Sequence, residues 1–229
     1  MKTNLNLTES TTSLSLEIPR KTAFWAGLFY LLTFVSVPTL FLYQPIHQSD
    51  YLMNATQDYE VVLGGILEII VALSGIATAV ILHSVFKKQN QILALGLIAS
   101  RIVEAGTMFV GVVFLLGAVS IRQQNLAEHS VVLAQTLVTL YDRMFVLGQG
   151  FMPGVNDLLL GVLLLQTRLV PRWLSIVGIS GAFALWAGYL SIMFGLVERV
   201  SPLAGLSALL VAFFEFTLAL YLLIKATRK

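Results

Sequence analysis

Four ionisable residues, Arg101, Glu104, Asp157 and Glu215, lie inside long apolar runs of this chain. Arg101 and Glu104 are three positions apart, a spacing that puts two side chains on one helical face. Burying a charge at the centre of a membrane helix costs about 2.5–3.5 kcal/mol, even on lenient insertion scales. Three acids and one arginine therefore do not all remain charged and unpaired. Arginine keeps its proton under ordinary conditions, so Arg101 is expected to pair with at least one carboxylate. Glu104 is the local partner, and Asp157 or Glu215 is expected to complete the site from a neighbouring helix. A carboxylate left without a partner favours its neutral form in such surroundings. The chemistry open to this set is a proton relay, an ion path or a substrate-binding cavity. The structural alternative is a hydrogen-bonded clamp that fixes helix register.

A second feature lies beside Asp157, in the stretch Leu147-Gly-Gln-Gly-Phe-Met-Pro-Gly-Val-Asn-Asp157. Pro153 removes a backbone donor and crowds the preceding turn, and Gly148, Gly150 and Gly154 loosen the same stretch. A kink or a break is expected here. If the helix restarts at Pro153, Asn156 and Asp157 fall near its first turn, where the positive end of the dipole favours an anion. Asn156, Pro153 and Gly154 are thus the supporting residues of the candidate site. Glu68, a fourth acid in an apolar run, counts out nearer the outer surface and is not assigned to this layer.

Other chemistry finds little support. The chain has no cysteine, which excludes disulfides, thiolate metal sites and cysteine nucleophiles. His47, His83 and His129 are far apart and lack the spacing of a metal site. No Gly-rich phosphate loop, dinucleotide fingerprint or serine nucleophile elbow stands in a credible context. No cofactor and no metal is expected.

The elements that position these residues are membrane helices. Of the 229 residues 57% are hydrophobic and only 11% are charged, against about 25% charged in soluble domains. This composition, with a mean hydropathy of +0.86, excludes a disordered chain, a nucleic-acid binder and a conventional soluble domain. A span needs about 20 mostly apolar residues. Six are found, at about 22–43, 61–86, 92–121, 144–165, 173–197 and 200–224. The fold class is therefore all-α, a polytopic bundle of six transmembrane helices in a lipid bilayer. Counted at about 1.5 Å per residue from one membrane face, the four ionisable groups share one layer near the midplane.

Orientation follows from the short loops. One side collects Lys2, Arg20, Lys21, Lys87, Lys88, Arg168, Arg172, Lys225, Arg228 and Lys229; the other has Arg122, Arg199 and Arg143 at its edge. The first side is expected to be cytoplasmic, with both termini on it. Trp25, Tyr43, Tyr141, Trp173 and Tyr221 fall near the interfaces, where amphipathic rings settle. Residues 1–21 read as a disordered cytoplasmic tail, followed by a single domain over 22–229. Apolar positions recur at helical spacing over 130–143. They suggest an amphipathic helix on the outer surface or an extension of the fourth span. Gly150-x-x-x-Gly154 and Ser180-x-x-x-Ala184-x-x-x-Gly188 place small residues on one face. Such faces allow close helix packing, or a homodimer.

Several segments carry a family resemblance: Ala26-Gly-Leu-Phe-Tyr-Leu-Leu, Ala99-Ser-Arg-Ile-Val-Glu-Ala105, Gly161 through Gly178, and Glu215 to Lys225. The run Arg-Leu-Val-Pro-Arg-Trp-Leu from Arg168 is the most specific. The chain resembles a bacterial integral-membrane family known as domain of unknown function 4386. The resemblance implies a six-span protein of the bacterial cytoplasmic membrane and supplies no activity. The polar layer itself points first to small-molecule or proton-linked transport. The alternatives are a membrane assembly or sensor protein with a structural ion-pair network, and an embedded enzyme acting on a lipid-like substrate.

Overall fold

The computed structural model describes residues 17–48, 58–124 and 129–228, and all its regular elements are helical. The chain begins with α1 (Arg20–Thr33), which passes through a 3-10 turn (Phe34–Ser36) into the short α2 (Thr39–Leu42). A second 3-10 turn (Pro45–His47) follows. Next come α3 (Asp58–Phe86), α4 (Gln91–Gln123) and α5 (His129–Phe145). A π-helical turn (Val146–Phe151) joins α5 to α6 (Met152–Thr167), and α7 (Arg172–Met193) and α8 (Pro202–Thr227) complete the bundle. Among the described residues, six segments are long and apolar enough to cross a membrane: Arg20–Leu42, Asp58–Phe86, Gln91–Gln123, Val131–Thr167, Arg172–Met193 and Pro202–Thr227.

These segments form a closed ring. α1 packs on α3, α3 on α4, α4 on α5 and α6, α6 on α7, α7 on α8, and α8 back on α1. The outer face carries exposed large apolar side chains such as Ile66, Leu73, Val113, Phe183 and Phe213. The charged and amide residues Glu68, Arg101, Glu104, Asn156 and Asp157 are buried. That is the inverse of a soluble bundle and suits a hydrocarbon surround, where exposed backbone and charge have no partners.

Local sequence sets the helix ends. At the end of the bundle that carries both termini, Asn90 caps α4 by accepting from the Leu93 amide at 3.0 Å. α6 stops where Arg168 takes the left-handed conformation, φ 54°, and Pro171 precedes the start of α7. Between them Leu169 and Val170 are buried in the core cluster formed with Phe86, Leu174 and Leu222. The Leu169 carbonyl accepts from Tyr221 at 3.4 Å and from Lys225 at 3.5 Å. The Arg-Leu-Val-Pro-Arg motif is thus a turn folded under α8. At the far end, Ser201 caps α8 through the Ala204 amide at 3.3 Å.

The structure differs from the sequence reading at several elements. The first span is not one helix: its chain leaves α-helical geometry at Phe34, and Pro38 precedes α2. The 3-10 turn Phe34–Ser36 and α2 lean on α3, while Phe34 also meets Phe216 of α8 edge to face at 5.4 Å. Of the two readings of residues 130–143, a surface helix or an extension of the fourth span, the extension is the one that forms: α5 runs through the π-helical turn into α6. Its apolar stripe is used internally, packing Ala134, Leu137 and Tyr141 against Leu115 and Ala118 of α4. The chain does not break at Pro153. Phe145, Phe151 and Met152 all keep right-handed helical geometry, and the Met152 amide donates to Leu147 in a π-type bond. Pro153 then sits in the first turn of α6, where a missing amide costs least. Tyr43 and Tyr141 are buried against each other within the bundle, their rings 5.3 Å apart edge to face. Trp25 and Trp173 are about half exposed, at 48% and 52%. The expected disordered tail lies outside the described residues through residue 16.

Candidate functional site

Arg101 is the hub. It projects from the third turn of α4 and is buried, with 6% of its side chain exposed. One guanidinium nitrogen donates to Glu104 Oε2 at 2.9 Å. The other donates to Glu215 Oε1 of α8 at 2.9 Å and to the Tyr30 hydroxyl of α1 at 3.3 Å. The guanidinium carbon also stands 5.8 Å from the centre of the Tyr30 ring. Only the planar fork of arginine engages two carboxylates in this way at once. Asn156 of α6 donates to Glu104 Oε2 at 2.8 Å. Three of the four expected residues are therefore in direct contact, and the partner from another helix is Glu215. Asp157 is not in that contact set. It is fully buried beside Asn156, and neither of its oxygens has a hydrogen-bond partner.

Of the supporting residues, Asn156 joins the cluster, whereas Pro153 lines the cavity above it. Gly154 faces the Trp186 indole of α7 instead. The π-helical turn fits tightly between neighbours. A Cβ on Gly148 would collide with Thr107 of α4, and one on Gly150 would enter the Tyr189 ring of α7. Trp186 fastens the turn by donating from Nε1 to the Phe151 carbonyl at 3.0 Å. π-type turns inside α-helices frequently accompany functional sites.

The structure adds residues that the sequence reading left outside the layer or did not name. Glu68 of α3 is fully buried, and its Oε1 accepts from Tyr141 at 2.8 Å and from Gln149 at 2.9 Å. Gln149 sits in the π-helical turn and lines the same cavity as Arg101. A polar Gln inside an apolar span was the available signal for it. Tyr30 carried no comparable signal. At the far end, His47, Asp142 of α5 and Arg199 of the α7–α8 loop form a cluster. Asp142 Oδ1 lies 3.0 Å from His47 Nε2 and 2.9 Å from Arg199. His47 Nδ1 lies 2.7 Å from the Tyr43 carbonyl. The hydrogen bond to Asp142 raises the pKa of His47 above its ordinary value, against burial and the neighbouring Arg199. Nearby, Arg122 pairs with Asp58, tying the end of α4 to the start of α3.

A cavity of about 220 Å³ opens above the hub, with Arg101, Glu104 and Glu215 in its wall. It shares Ser36, Val37, Gln149 and Ala208 with a second cavity of about 540 Å³. That one shares Leu40, Phe145, Arg199 and Val200 with a third of about 570 Å³, which reaches His47. The three adjoin from mid-bundle to the far end. Their cause is the interrupted first span. α8 packs on α1, while the 3-10 turn and α2 lean on α3, so α2 and the start of α8 part. Among the described residues, no group of three metal-ligating side chains comes together.

The fold and the site define a six-span helical membrane protein with a buried ion cluster at the floor of a cavity. Residues 25–226 match the model of the family described as domain of unknown function (DUF4386), and the chain belongs to that family. Comparison with curated proteins and with solved structures found no match.

Proposed function

We propose that this protein is a proton-linked carrier of a small solute, with Arg101, Glu104 and Glu215 as its mid-membrane binding site. The observation that carries the reading is the cavity above the cluster, which adjoins a vestibule toward the far end. A clamp that only fixed helix register would be sealed by apolar side chains. Among the described residues, each cavity-lining carboxylate keeps one oxygen free of hydrogen bonds: Glu104 accepts only at Oε2 and Glu215 only at Oε1. Two carboxylates face one guanidinium, which leaves one negative charge for a proton or a ligand to neutralise. Asp157, behind Asn156, holds a second proton-accepting group without a fixed partner. In this reading the positive-inside pattern is taken to put both termini in the cytoplasm of a bacterial cell, and the vestibule then faces outward.

The test uses the absence of cysteine from the sequence. Val211 is buried and lines the cavity beside Glu215. The Val211→Cys protein is treated with a membrane-impermeant thiol reagent from each side. Val200→Cys and Lys87→Cys serve as controls for the two ends. Labelling of residue 211 from the Val200 side is expected. Unreactive Val211→Cys with both controls reacting refutes a water-filled path to the cluster.

A further inference from the structure

We propose that the solute is a monovalent amphipathic cation, its charged head against Glu104 and Glu215 and its apolar body in the vestibule between α2 and α8. The inference rests on the carrier reading above and names its substrate class.

The floor of the site decides the sign of the head. Arg101 is the one cation in the cavity wall, and it is already held by both carboxylates and by Tyr30. Glu104 Oε1 accepts no hydrogen bond, although its side chain is nine-tenths buried and lines the cavity. An anionic head would meet two carboxylates and displace Arg101 from both. A cationic head meets two unused carboxylate oxygens and supplies the missing charge. The walls decide the rest of the molecule. Above the floor, Val37, Leu40, Tyr189, Val200 and Ala204 offer apolar contact and one aromatic ring, while Phe145 is covered at 5.1 Å by Arg199, whose charge is paired with Asp142. The central cavity, at about 220 Å³, suits a compact head, and the wider vestibule of about 540 Å³ suits the body.

Charge balance couples this ligand to one proton. With one carboxylate protonated, Arg101, Glu104 and Glu215 sum to zero. When the cation enters, that proton leaves and the sum is again zero. The titratable groups facing the cluster are Tyr30 from α1, Arg101 and Glu104 from α4, Asp157 from α6 and Glu215 from α8. α7 presents Leu185, and Glu68 of α3 is bonded to Tyr141 and Gln149. One proton exchanged per cation makes the carrier an antiporter.

The experiment is calorimetric titration of the full-length protein in zwitterionic nanodiscs. The probe is hexyltrimethylammonium, with hexanesulfonate as the same chain of opposite charge and butyltrimethylammonium as the shorter cation. Expected are saturable binding of the hexyl cation and release of one proton, read from buffers of different ionisation enthalpy. Affinity is expected to rise about tenfold per pH unit while the site retains its proton. Each methylene removed should weaken binding about fourfold. Glu215→Gln should abolish the proton release, and Ala208→Phe, which narrows the passage, should weaken binding of the longer cation. Equal binding of hexanesulfonate, or cation binding without proton release, overturns the proposal. Both comparisons use the unaltered protein and stand even if a variant fails to fold. Labelling at Val211→Cys together with failed cation binding refutes the ligand class alone. Failed labelling refutes the carrier reading beneath it.

Discussion

Replacing Arg101 by methionine keeps much of the volume of the side chain and removes its charge. Glu104 and Glu215 then lose the donor that holds each at 2.9 Å, in a site where Arg101 is only 6% and Glu104 10% exposed. Removing one partner of a buried ion pair costs about 3–5 kcal/mol, because the remaining charge is left uncompensated. The loss of the Tyr30 contact adds to this. For a chain of this length such a loss lowers the melting temperature by about 10 °C. The assay is thermal unfolding of purified protein in detergent, followed by intrinsic fluorescence. The companion variant carries Arg101→Met, Glu104→Gln and Glu215→Gln together. It has no buried charge to compensate, and neutral replacements of buried ion networks often match the original in stability. It is expected to recover most of the lost stability while binding no cation. If Arg101→Met melts like the unaltered protein, the hub does not hold the cluster. If the triple variant is as unstable as the single one, lost packing rather than unpaired charge is the cause.

Gly150→Ala places a methyl group inside the Tyr189 ring and should cost about 1–3 kcal/mol of overpacking. Tyr189→Leu in the same chain should restore part of it in the same melts. Tyr141→Phe removes one of the two donors to Glu68 and should cost about 1–3 kcal/mol; a Glu68→Leu background should erase that cost in a double-mutant cycle. His47 has a raised pKa in the folded protein because Asp142 accepts from it. The stability it contributes is therefore complete below its ordinary value of about 6.5. It is lost as pH rises through the higher folded value. The melting difference between the unaltered protein and His47→Gln should shrink with rising pH, and Asp142→Asn should abolish the pH dependence. A difference that grows with pH would refute the assigned partner.

The six spans were readable because apolar runs of this length admit few other structures. The Arg101–Glu104 pair was readable because both residues lie on one helix at a fixed spacing. Glu215 remained one of two alternatives, since its approach depends on α8 closing the ring against α1. The positions misjudged share a cause. Tyr43 and Tyr141 have the composition of interfacial anchors, yet they pack on each other where α5, which carries Tyr141, lies against α4. Pro153 and its glycines signal backbone irregularity, but the sequence does not distinguish a break from a π-helical turn whose neighbours fill the space. His47 finds Asp142 and Arg199 across 95 and 152 positions, a distance over which no local periodicity reports.

The number of acids, rather than their presence, argues against a purely structural cluster. Holding α4 in register with α8 needs one arginine and one carboxylate. This bundle buries Glu104, Asp157 and Glu68 in its transmembrane part and half-buries Glu215, with Arg101 as their one central cation among the described residues. Each additional carboxylate carries a desolvation cost that leucine or methionine would avoid. Asp157 does so without a hydrogen bond to either oxygen. Structures depart from the most stable local choice mainly where function requires it. The departures here coincide in space: the surplus carboxylates, the π-helical turn that brings Gln149 to the cavity, and the interrupted first span that opens the vestibule. A stability clamp explains the first contact of Arg101 and leaves the others as separate costs. A site that exchanges a proton for a cation needs the surplus charge, the polar floor and the open path together.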